Sequence, residues 1–157
     1  MLSQLVLPIH VPRAHRDPIT SASAALAVFS LAIKRPLRPE TFVLMMRQDH
    51  RGIGLFALET GEHLSLLIDD IFSRCVSHES AQAVVIASVR PQWPTQFDGA
   101  DQPDGAGLHD GAAEFTDARE NCHRAGIQLV DWFVIARARI WCPRSDAALP
   151  SLWHSQK

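Results

Sequence analysis

No stretch of this chain approaches the roughly 20 consecutive apolar residues that a membrane-spanning helix requires, so no membrane partner is expected. Cysteine is scarce: Cys75, Cys122 and Cys142 are far apart and form no Cys-x-x-Cys pair. That excludes a disulfide framework and fits thiols that serve as small apolar side chains in a reducing compartment. Positive charge is not in excess either. The formal net charge is -2, whereas strongly nucleic-acid-binding domains carry a basic balance or a basic face. Met1 to His15 lacks the basic opening and the apolar run of a secretory signal, because Pro8 and Pro12 interrupt its only apolar piece, Leu5-Val6-Leu7. The expected location is the cytoplasm.

What is present fits one globular domain. The 157 residues are 46% apolar, and a chain of that length buries roughly 70% of its unfolded surface, so it needs neither disulfide nor metal to fold. Prolines 8, 12 and 18 predict an extended arm over residues 1–18. Thr20-Ser21-Ala22-Ser23, ahead of an alanine-rich apolar run, marks a helix start, and Pro36 and Pro39 end it. Thr41 to Arg47 and Ile53 to Leu58 read as two strands of a hairpin around the turn residues Asp49 to Gly52.

Ser65 is the expected cap of a second helix, whose apolar face is Leu67, Ile68, Ile71, Phe72, Cys75 and Val76. Ala83 to Ala87 has no polar residue and reads as a central strand covered on both faces. Residues 91–111 are rich in Pro, Gly and Asp and read as a long loop. A third helix follows, with Phe115, Ala118, Cys122 and Ala125 on one face and Gly126 as its stop. Strands over Ile127 to Ala136 and Arg139 to Cys142 complete the order, and residues 144–157 read as an irregular tail. The fold class is therefore α/β or α+β, a mixed β-sheet flanked by helices, in one domain spanning 19–143.

Gly126-Ile127-Gln128-Leu129-Val130-Asp131-Trp132 resembles the Gly-Ile-x-Leu-Leu-Asp-His segment of RadC-type proteins, members of the JAB/MPN metallo-isopeptidase superfamily. Pro39-Glu40-Thr41-Phe42-Val43-Leu44 resembles that family's first strand, and Ala81 to Ala87 the strand leading to its metal site. The resemblance runs from about Ile19 to Cys142. It implies a three-layer fold similar to that of cytidine deaminases and a traditional association with DNA repair. It also implies a zinc site built from His-x-His-Pro, a following Asp and a Glu base, where the metal lowers the pKa of a bound water.

This chain departs from that pattern. Ser88-Val89-Arg90-Pro91 stands where His-x-His-Pro would be, and Arg offers no acceptor to a cation. Counting back from Gly126 puts Gly111 at the Asp position, with Asp110 beside it. Trp132 replaces the His that would follow Asp131. Glu40 remains, either as a relic of the family's base or as an ordinary charge at a strand start. The resemblance thus implies a catalytically inactive, zinc-free member with no cofactor.

Several alternatives stay open. Arg90 reads as a fixed cation in the metal's place, paired with Glu40 or Asp110, or as a solvent-facing strand end. Asp98, Asp101, Asp104, His109 and Asp110 read as relocated ligands of a working hydrolase or as a solvated loop. Ser88 would be a nucleophile only with a base such as His109 beside it. Trp93, between Pro91 and Pro94, reads as a contact for a protein partner or as a cover over the emptied cleft, and Asp131 is a second contact candidate. Arg137, Arg139 and Arg144 read as a phosphate site, which would suit a nucleic-acid-associated role, or as a wet sheet face.

Overall fold

Ser21 starts the first helix. In the computed structural model, which describes residues 11–59, 64–77, 81–91, 112–137, 139–146, 149 and 151–153, its side chain accepts the Ala24 N–H at 3.1 Å. That hydrogen bond satisfies one of the donors a helix start leaves orphaned. The helix, α1 (Ala22–Ala32), gives way to extended backbone at Ile33, before Pro36.

The chain then forms β1 (Glu40–Met46), β2 (Gly52–Leu58), α2 (Leu64–Val76), β3 (Ala83–Val89), α3 (Ala112–Arg124), β4 (Gln128–Ile135), β5 (Ile140–Trp141) and a short α4 (Pro143–Asp146). The five strands make one mixed sheet in the order β2-β1-β3-β4-β5. Only β3 and β4 run parallel; the other three pairings are antiparallel. The parallel pair is joined through α3, as a parallel connection requires.

Alternation along the strands divides the core in two. Val43, Met45, Val84, Ile86, Leu129, Trp132 and Val134 point to the face covered by α2 and α3. Phe42, Leu44, Met46, Val85, Ala87, Val130 and Phe133 point to the face covered by α1, Ile19 and Trp153. Helices on both faces make three layers and explain why all seven residues of β3 are buried. No helix among the described residues is long and apolar enough to cross a membrane.

One irregularity matters. β3 and β4 slip by a residue, pairing Val84 with Leu129 but Val85 with Asp131. Val130 is the extra residue of a bulge. Strict alternation would have put Asp131 on the Leu129 face. The bulge instead pairs it with Val85, on the α1 side.

The expected order of elements is the observed one up to β5, with three local differences. α2 already includes Leu64, so Ser65 lies in its first turn rather than ahead of it. Ala125 lies outside α3 and is exposed. Pro143, where an irregular tail was expected to begin, opens α4, and further along Trp153 is 5% exposed.

α3 ends as its glycine suggests. Gly126 has φ +77°. Its N–H reaches the His123 carbonyl at 3.0 Å, and the Ile127 N–H reaches that of Cys122 at 2.9 Å. These two bonds satisfy carbonyls that the helix end would otherwise strand. A Cβ at Gly126 would meet nothing within 4 Å, so only backbone strain opposes a side chain. Gly126→Ala is therefore expected to cost about 1 kcal/mol and to lower the thermal midpoint by roughly 2–4 °C, as read by calorimetry.

Candidate functional site

The ends of β1 and β3 lie side by side, but alternation separates the expected site residues: Glu40 pairs with Val89, which packs on the α1 side, whereas Ser88 faces Trp132 on the α2–α3 side. Thr41 pairs with Ser88 across the two strands. Ser88 has no exposed surface. Its Oγ accepts the indole N–H of Trp132 at 2.9 Å, which the parallel β3–β4 pairing places within reach. The adjacent Thr41 Oγ1 is buried with no hydrogen-bond partner. Arg90 extends the ladder by one step, donating its N–H to Ile135 at 2.8 Å. Its side chain is turned inward: the residue is 8% exposed, and Nη1 donates to its own strand at the Val89 carbonyl. Glu40 faces Arg38, with 3.7 Å between the charged atoms.

This donor set does not suit a divalent cation. Ser88 Oγ is committed to an indole N–H, and a guanidinium offers donors only. Among the described residues, no three His, Cys, Asp or Glu side chains converge on one point. Asp98, Asp101, Asp104, His109, Asp110 and Gly111 lie outside the described residues, as does Trp93.

Asp131 proves to be an internal junction. It has no exposed surface. Its Oδ1 accepts the Trp132 N–H at 3.0 Å, the Cys142 S–H at 3.2 Å and the Arg144 Nε–H at 3.3 Å. Its Oδ2 accepts the Trp153 indole N–H at 2.9 Å. Arg144 also donates from Nη1 to the Leu149 carbonyl at 3.2 Å. Full burial leaves Asp131 no surface for a partner, and Arg144 is spent on this ion pair rather than on a phosphate. Arg139 stands 4.6 Å over the Trp141 ring, and Arg137 is exposed.

The thiols are held protonated. Burial pushes Cys75 up to about 11 and Cys122 up to about 12. Burial also raises Cys142, with Asp131 adding to the effect. A raised pKa starves each sulfur of the nucleophilic thiolate.

A shallow groove of about 430 Å³ runs between α3 and the tail, with Arg119, His123, Ile127, Leu129, Leu149 and Leu152 among its lining residues. Arg119 reaches the Leu129 carbonyl and lies 4.8 Å over the Phe115 ring. Burial and the nearby Arg144 lower its pKa.

No family model matches the chain, and no curated protein matches it.

The partners of Ser88 and Asp131 were not legible in the sequence. A carboxylate inside Leu-Val-Asp-Trp-Phe-Val signals a buried charge in need of donors. Nothing local says that the donors come from Arg144 and Trp153. Ser88→Ala would strand the buried indole N–H and is expected to cost about 1–3 kcal/mol. Urea unfolding reads the loss. An unmoved midpoint would instead mean that Ser88 is not engaged by Trp132.

Proposed function

We propose that this chain is a metal-free relative of the RadC-like JAB/MPN group that acts through contacts rather than hydrolysis. The observation that carries this reading is the fate of the two positions where histidine ligands would stand. Ser88 Oγ is buried and takes the indole N–H of Trp132, and Arg90 puts a buried guanidinium at the second position. A fixed cation there supplies positive charge without an open coordination position. A metal hydrolase needs that open position for its water. Glu40 cannot serve as a base without such a water, and it is instead turned to Arg38. The mixed sheet, with helices on both faces and a central strand ending at Val89, agrees with the three-layer architecture this reading requires.

The metal content of the purified, untagged chain after mild dialysis tests the proposal. The expected result is far less than one zinc per chain, a thermal midpoint that a chelator leaves unchanged, and no isopeptidase activity. Stoichiometric zinc, with a midpoint that falls on chelation, would sink the proposal. It would favour a hydrolase whose ligands have moved into residues 91–111.

A further inference from the structure

The two edges of the sheet are built differently. β5 is two residues long and is preceded by Arg137 and Arg139. A short edge guarded by charges resists pairing with another chain. β2, at the other edge, runs for seven residues, Gly-Ile-Gly-Leu-Phe-Ala-Leu, with no charge and no proline. His15 donates to the Gly52 carbonyl, and Pro18 bridges Arg51, so the start of β2 is covered. From Ile53 to Leu58, β2 hydrogen-bonds across its ladder with β1, and no described residue pairs with its outer side.

The exposed side chains agree with an open edge. Ile53, Phe56 and Leu58 pack on the α2 side of the sheet, which leaves Leu55 and Ala57 on the α1 side. Leu55 is 36% exposed and Ala57 is also exposed. The same layer carries Leu31 of α1, 73% exposed, on a helix with no charged residue. An apolar side chain this exposed, in the same layer as Leu55 and Ala57, adds to an uncovered apolar surface.

We infer that β2 pairs antiparallel with β2 of a second copy of this chain, across a two-fold axis, to form a continuous ten-stranded sheet. A strand set against itself repels any charge it carries, and β2 carries none. A two-fold perpendicular to the sheet keeps both α1 helices on one face, so the apolar layers of the two copies adjoin. On the other face Arg74 stands 5.4 Å over the Phe56 ring and 3.7 Å from Asp70. One patch serves both copies, and the assembly closes at two.

Sedimentation of the full chain tests this. The wild type is expected at twice 17.4 kDa. Leu55→Lys and Ala57→Lys each add two charges of one sign, one from each copy, to the exposed apolar face of the paired edge. Each is expected to halve the mass while leaving the far-ultraviolet circular dichroism of the wild type. The two variants check each other, should one of them fold poorly. A wild type that stays monomeric at every concentration overturns the proposal, as does a dimer that survives both substitutions.

Discussion

A carboxylate with no contact with solvent sits on β4 at Asp131, and the C-terminal part of the domain is arranged around it. Four donors converge on its two oxygens: the following backbone N–H, a thiol, a guanidinium and an indole. A buried charge of this kind is tolerated only when its lone pairs are filled. Filling them forces α4 and Trp153 back onto the sheet. Trp153 then closes the α1-side core and meets His50 edge-on, with 6.0 Å between ring centroids. The bulge at Val130 makes this possible, because it pairs Asp131 with Val85 rather than leaving it on the Leu129 face.

The end of β3 follows the same logic on the opposite face. Trp132 is consecutive with Asp131 and points the other way, so its indole N–H reaches Ser88 inside the α2–α3 core. The two residues hold the two faces of β4 in place. Arg90 closes the end of the β3–β4 ladder and keeps its guanidinium largely out of solvent. The hydrogen bonds of Ser88 and Arg90 tie β3 to β4.

Much of the layer structure was legible because the apolar patterns are strong. The unbroken apolar run Ala83–Ala87 announced a strand covered on both faces, and Gly126 announced the end of α3. The tail was not legible. Pro143 and the polar residues after it suggest irregular backbone, whereas α4 and the buried Trp153 depend on a carboxylate far back in the chain. The bulge was equally hidden, since no glycine or proline marks Val130. The inward turn of Arg144 could not be separated from a wet face, because its partner is a tertiary contact rather than a helical neighbour. At the candidate site, the commitment of Ser88 to Trp132 was not legible either, since the two lie far apart in the chain.

The most direct measurement of the Asp131 junction is a double-mutant cycle of Asp131→Asn with Trp153→Phe, read by urea unfolding. Asn keeps the size of Asp, but in either orientation it sets its NH₂ group against an N–H donor. Phe keeps the ring and removes the indole donor. The account predicts a coupling of roughly 1 kcal/mol or more, with Trp153→Phe costing far less once Asp131 is gone. Strict additivity, within about 0.3 kcal/mol, would contradict it and would mean that the tail is held by apolar packing alone.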